Sequence, residues 1–256
     1  MSAKLIILGC GNSIGVPTID GMWGNCNMNN IKNLRTRCSA IILKGSNSIL
    51  IDTSPDIRNQ LINNDIKNLS SVIYTHEHAD QTNGLFELRP FYWKNKKKIN
   101  IYGDKYTVKD LKKRFGYCFK SSKMYPAIVK ANFIKKRFSV GHSKEKIVFN
   151  TLQAKHGFSK SIIYIFEKTA YVSDCNDYSI VKSKELTNLN YLILDCLKYK
   201  KNLAHFNFDD CLYIHNCLKP KKTILTNLHH DLDYGFLLRK LPKNVLPAYD
   251  GLTLDL

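Results

Sequence analysis

Two histidines and a carboxylate fall at alternate positions in Thr75-His76-Glu77-His78-Ala79-Asp80-Gln81, directly after the apolar run Ser71-Val72-Ile73-Tyr74. In an extended or tightly looped backbone alternate side chains point the same way, so His76, His78 and Asp80 are placed to converge on one point. Imidazole nitrogens and a carboxylate oxygen are the donors a zinc-like ion takes, and a catalytic site holds about three of them with one position left open. The competing reading is a polar loop after a buried strand. Three metal-competent groups between positions 76 and 80 weigh against it.

Such groups need a rigid scaffold, and hydrophobic patterning supplies one. Strands are expected at 4–9, 39–43, 48–52, 71–75, 99–102, 147–153, 161–167, 170–173, 191–195 and 223–226. Helices are expected at 55–63, 106–114, 207–218 and 233–241, the first opened by Ser54-Pro55-Asp56 and the last two stopped by Pro220 and Pro242. No repeat, low-complexity segment or long linker interrupts them, so one α/β domain over 1–256 is expected. Further candidate ligands recur at strand ends: His156, Asp174, and the pair His229 and His230. Taken singly, His156 before Gly157 reads equally as a turn residue and Asp174 as a loop cap.

Composition narrows the function classes. The 256 residues are 44% apolar, enough for a substantial core, and no run of 18 apolar residues provides a membrane span. The start Lys4-Leu5-Ile6-Ile7-Leu8-Gly9-Cys10 is too short in its apolar part for a signal peptide and reads as a first strand entering a glycine turn. Eight scattered cysteines without a Cys-x-x-Cys pair suit a reducing, cytoplasmic setting. The net charge of +18 is spread along the chain, and its densest run, Lys94-Asn95-Lys96-Lys97-Lys98, reads as a solvated loop. An anionic small molecule is therefore favoured as partner over nucleic acid, with no membrane contact and a homodimer allowed.

Taken in order, His76, His78, Asp80, His156 and Asp174 resemble the ligand series of the metallo-β-lactamase fold, whose first motif is His-x-His-x-Asp-His. The segment Gly9-Cys10-Gly11-Asn12-Ser13-Ile14-Gly15-Val16-Pro17 resembles the opening of the branch that holds a phosphoribosyl 1,2-cyclic phosphate phosphodiesterase and, more distantly, ribonuclease Z. Arg35-Thr36-Arg37-Cys38-Ser39, Leu50-Ile51-Asp52-Thr53, Gly84-Leu85-Phe86-Glu87-Leu88-Arg89 and Ala248-Tyr249-Asp250-Gly251 extend that likeness over nearly the whole chain. The glycine spacing is one residue too long for a dinucleotide-binding turn, and no acidic residue ends a second strand about 20 residues on, so no organic cofactor is expected.

The resemblance implies an αββα four-layer sandwich with two mixed β-sheets. It implies that His76, His78, His156 and Asp174 hold a first ion, that Asp80 and Asp174 contribute to a second, and that His205 lies near the substrate, where an imidazole can protonate a leaving oxygen. Catalytic work would then fall to Asp80 and His205, with phosphodiester hydrolysis by a metal-bound hydroxide as the implied reaction. A ribonuclease-Z-like nuclease and a non-catalytic anion binder are the alternatives.

Two departures stand out. Gln81 and Asn227 occupy the places where the family carries the imidazoles of its second metal position. Amide oxygens are weaker ligands that suit hard cations, so one Zn²⁺ is expected, with a weak second position open to Mn²⁺ or another divalent cation. His229 is the first candidate as a substitute ligand and His230 the next. The related phosphodiesterase also builds a structural zinc site from a cysteine cluster; here Gly21-Met22-Trp23-Gly24-Asn25-Cys26-Asn27 offers only Cys26, so no structural zinc is expected.

Overall fold

The computed structural model describes residues 2–141 and 145–256. Its strands fall into two seven-stranded sheets. In the first, β1 (Lys4–Gly9) lies between β14 (Leu252–Asp255) and β2 (Ser39–Lys44), followed by β3 (Asn47–Ile51), β4 (Ser71–Ile73), β5 (Ile99–Gly103) and β6 (Val129–Phe133). The second runs from β7 (Arg137–Val140) through β8 (Ile147–His156), β9 (Ser159–Phe166), β10 (Thr169–Val172), β11 (Tyr191–Asp195) and β12 (Lys222–Thr226) to β13 (Val245–Pro247). Both are mixed: the β3–β4–β5–β6 and β10–β11–β12–β13 ladders are parallel and the remaining ladders antiparallel.

Side-chain alternation along each strand sorts residues between layers. Leu5, Ile7, Ile42, Ile49, Ile51 and Ile73 of the first sheet face Phe149, Tyr164, Phe166, Tyr171, Ile193 and Ile224 of the second, forming one central core. Their neighbours Ile41, Leu50, Val72 and Ile101 point the other way, against α1 (Ile57–Asn63) and α4 (Lys105–Arg114). On the opposite outer face Leu192, Leu194 and Leu225 pack against α6 (Phe208–Leu218) and α7 (Tyr234–Lys240). The four-layer αββα sandwich implied by the resemblance is thus the observed architecture. Central strands covered on both faces read as continuous apolar runs, which is why their positions were legible. Among the described residues no helix is long and apolar enough to cross a membrane.

Two local expectations are revised. The first helix starts at Ile57 rather than 55: Ser54 Oγ accepts from the Asp56 amide, and the Asp56 carboxylate is taken by Arg37 Nε and Nη2 at 2.7 and 2.6 Å instead of capping the helix. After β4 the chain does not stay extended, because Ala79–Thr82 forms a helical turn, α2, with His78 as its N-cap residue. Further short helices at Arg89–Asn95 (α3) and Gly116–Phe119 (α5) complete the outer layer of the first sheet. The C-terminal ends of β3, β4, β10, β11 and β12 deliver Asp52, His76, Asp174, Asp195 and Asn227, all buried, toward one site.

Candidate metal centre and active site

Three imidazoles converge on one point. Asp52, directly after β3 in the left-handed region at φ 62°, accepts from the Thr75 amide at 2.8 Å and the Thr75 hydroxyl at 2.7 Å. With its proton committed to Asp52, that hydroxyl oxygen must accept from His76 Nδ1, 3.0 Å away. The tautomer of His76 is thereby fixed, and its lone pair sits on Nε2, a buried atom with no hydrogen-bond partner among the described residues. His156, the last residue of β8, donates Nδ1–H to the Ala204 carbonyl at 2.8 Å, which leaves the Nε2 lone pair facing His78 Nδ1 at 3.2 Å. One ring nitrogen from each of His76, His78 and His156 lies within 4.8 Å of the others. Burial pushes the His76 pKa down to about 3, keeping that ring neutral. Imidazoles whose ring nitrogens converge, two of them oriented by Thr75 and by the Ala204 carbonyl, fit a divalent cation.

The neighbouring half of the centre is built from carboxylates and amides. Asp174 occupies the left-handed region at φ 51°, as does Asn227 at φ 62°, a conformation that Asp and Asn tolerate better than most residues. Asp174 Oδ2 accepts from Ser173 Oγ at 2.7 Å and Gln81 Nε2 at 3.2 Å, and its Oδ1 accepts from Asn227 Nδ2 at 3.1 Å. Gln81 Nε2 also reaches Asp80 Oδ2 at 3.3 Å, and Asn227 Nδ2 reaches Asp195 Oδ1 at 3.0 Å. Ionised carboxylates only accept, so both amides must turn their N–H groups inward. Burial and the nearby Asp174 push the Asp80 carboxyl above its usual range. Where a second ion would need lone pairs, N–H donors face the acids. Gln81 Oε1 is left as a buried acceptor without a partner among the described residues, one neutral oxygen in place of an imidazole, so this half fits a second cation poorly.

Asp80 lines the same cavity as His78 and Asp174. The helical turn at Ala79–Thr82, pinned by Thr82 Oγ1 donating to the His78 carbonyl at 2.7 Å, holds Asp80 one amide away from Asp174.

A third group completes the site. His205 Nδ1 donates to Asp195 Oδ2 at 2.9 Å and lies 3.5 Å from Asp174 Oδ1. Burial disfavours its charged form, but Asp195 foremost, with Asp174 and Asp80, outweighs that and raises its pKa to about 9. With Nδ1 held by Asp195, His205 leaves Nε2 for a ligand. His78, Asp80, Asp174, His205 and Asn227 line a cavity of about 370 Å³ together with Lys198 and the Asn12-Ser13-Ile14 loop. His229 lines the same cavity but does not join the Asp174 cluster: its Nδ1 is 3.3 Å from an Asp231 oxygen, and its ring stacks on His230 at 3.7 Å. Asp52, Thr75 and Asp195 were not identified from the sequence. Their signal was present, since each acid ends an apolar strand as Asp174 nearly does, but a buried carboxylate at a strand end has no ligand spacing to distinguish it.

The beta-lactamase superfamily domain matches residues 47–229. A solved diphosphatase of the PhnP family superposes with a TM-score of 0.90 at 30% identity, covering 100% of this chain and 98% of that one. Human tRNase Z, short form, shares the fold with a TM-score of 0.68 at 15% identity, covering 98% of each chain. An octanoyltransferase of Porphyromonas gingivalis is 26% identical over 252 residues, which are 97% of this chain and 51% of that protein. The chain thus spans about half the length of the curated relative it matches.

Proposed function

The chain belongs to the beta-lactamase superfamily, and from that premise we propose that it is a divalent-metal-dependent hydrolase of phosphodiester or diphosphate bonds in small anionic substrates. One observation carries the reading: the cation-competent imidazole cluster and the Asp195-backed His205 meet at Asp174, at the edge of a single polar cavity. The likeness to a PhnP-family diphosphatase supports the choice of phosphate chemistry.

His76 Nε2, His78 Nδ1, His156 Nε2 and Asp174 would hold the ion. When bound, it supplies Lewis-acid polarisation and a water acidic enough to attack at neutral pH. Asp80, whose carboxyl is raised by burial and by Asp174, takes the proton of the attacking water. His205 donates from Nε2 to the departing oxygen, while Asp195 holds its Nδ1–H and stabilises the imidazolium until that transfer. Lys198 and His205 present positive charge to the substrate phosphates. Gln81 and Asn227 satisfy the second pair of carboxylate oxygens without a second cation, so we assign one Zn²⁺-like ion per chain.

Turnover of bis(p-nitrophenyl) phosphate and of a diphosphate diester by metal-loaded protein tests this reading. Loss of both activities in Asp80→Ala and His205→Ala supports it; turnover retained in both variants sinks it. Cleavage of precursor tRNA that weakens steeply between two salt concentrations would favour the nuclease alternative instead.

A further inference from the structure

A second and larger cavity, about 810 Å³, opens on the far side of the imidazole cluster, sharing His78 and Ala204 with the polar cavity and adding His156 to its floor. Its lip carries a feature that the hydrolytic chemistry does not use. Phe158 is 109% exposed and Leu203 85% exposed, and Tyr106, 65% exposed, lines the same space. Apolar side chains left wholly in water gain nothing for the fold.

Nor are they on loose backbone. Phe158 sits in the tight β8–β9 hairpin turn, where Gly157 at φ 58° packs so closely that a Cβ would lie 3.1 Å from Ala204 Cβ. Asn176 ties the two sides together, accepting from the Gly157 amide at 3.1 Å and donating to the Leu203 carbonyl at 2.6 Å. Ser159 Oγ donates to Glu77 Oε1 at 3.0 Å, fixing the floor beside His78. Exposed apolar groups on a tied backbone beside the candidate centre offer a binding surface, and the volume lies in the range of small-molecule sites.

Resting on the hydrolase reading above, we propose that this cavity is a specificity subsite for a planar aromatic group carried on the phosphoester. The phosphate lies over the polar cavity, the ester oxygen crosses at His78 and Ala204, and the aromatic group packs against Phe158 and Tyr106, with Lys160 and Gln153 available to its polar edge. A nucleobase and a simple aryl group share this chemistry.

The test compares methyl phosphodiesters whose second ester group is methyl, hexyl, benzyl or 5′-thymidyl, with the products separated by chromatography. The benzyl and thymidyl esters should show KM values about tenfold below the methyl ester, the worth of one aromatic contact. In Phe158→Ala and Tyr106→Ala the ratio of methyl to benzyl KM should fall toward one. Benzyl and thymidyl esters bound alike point to any aryl group, whereas a thymidyl preference that disappears in Lys160→Ala points to a nucleobase. KM values independent of the second group, or a hexyl ester gaining as much as benzyl, overturn the subsite. If no ester is turned over, calorimetric titration with benzyl and methyl phosphate separates the two failures. Tighter benzyl binding that is lost in Phe158→Ala keeps the subsite and discards the hydrolase reading, and equal binding discards the subsite.

Discussion

The two halves of the candidate centre meet at Asp174 and are built on opposite principles. On one side three imidazoles turn lone pairs toward a common point, two of them fixed in tautomer by Thr75 and by the Ala204 carbonyl. On the other, Gln81 and Asn227 turn N–H groups toward the oxygens of Asp80, Asp174 and Asp195. The first half leaves the His76 Nε2 lone pair without a partner, whereas the second holds its carboxylates on N–H donors and leaves the neutral Gln81 Oε1 unpartnered. An amide N–H neutralises a carboxylate by hydrogen bonding at no cost in metal, but it supplies no Lewis acidity. The proposed catalysis therefore draws on one ion and on the chain's own residues.

The comparison breaks most visibly on the imidazole side. His156→Ala removes one of three converging lone pairs, and we expect metal content to drop below one ion per chain and turnover to fall on the order of 10³-fold or more. Elemental analysis beside steady-state kinetics measures both, and an undiminished metal content would relocate the ion. Asp195→Asn leaves that cluster intact but removes the charge behind His205. A fall in kcat on the order of 10²-fold, with metal content unchanged, is expected for the loss of an oriented general acid. Thr75→Val frees His76 to choose the wrong tautomer, and metal affinity should weaken roughly tenfold or more, read by competition with a chelating dye.

How much of this contrast the sequence disclosed depends on the kind of signal involved. His76, His78, His156 and Asp174 were legible because ligand types at strand ends are rare and their order matches a family pattern. Gln81 and Asn227 were legible as departures from that pattern, whereas their inward-turned amides required the neighbouring carboxylates to be in place. The turn Ala79–Thr82 that carries Asp80 was not foreseen, because four residues of helix are too short for periodicity to reveal. The same limit governed the fold. The four strands not foreseen, Val129–Phe133, Arg137–Val140, Val245–Pro247 and Leu252–Asp255, are the four sheet edges. Edge strands are short and carry polar residues that block further pairing, such as Lys130, Asn132, Arg137 and Asp255, so they lack the apolar run that betrays a central strand.

A smaller effect sharpens the comparison from the amide side. Gln81→His replaces an N–H donor with an imidazole lone pair next to Asp80 and Asp174. Metal content should rise from one ion toward two while turnover changes by less than about tenfold, because the first ion and His205 are untouched. Wild-type protein that already holds two ions tightly would remove the contrast altogether.

The smallest effect concerns what holds the amide half in position. Asp250 accepts from the Cys10 amide at 3.0 Å, the Thr36 amide at 2.8 Å and the Thr36 hydroxyl at 2.6 Å. The Cys10 carbonyl in turn accepts from the Leu228 amide at 2.8 Å, next to Asn227. Burial raises the Asp250 pKa to about 6 despite the donors of Thr36 and Cys10 that pull it down. The unfolded carboxyl titrates near 3.8, so between these values the folded chain holds a proton that the unfolded chain has lost. Stability from this group is therefore full below about pH 4 and is lost as pH rises through about 6. Asp250→Asn abolishes that dependence and leaves the Thr36 amide facing a donor, at about 1–3 kcal/mol. Denaturant midpoints should show the gap between wild type and variant widening from pH 7 to pH 4. A gap that stays constant or narrows would mean that Asp250 remains ionised in the fold, and that charge, rather than a shared proton, anchors the loop beside Asn227.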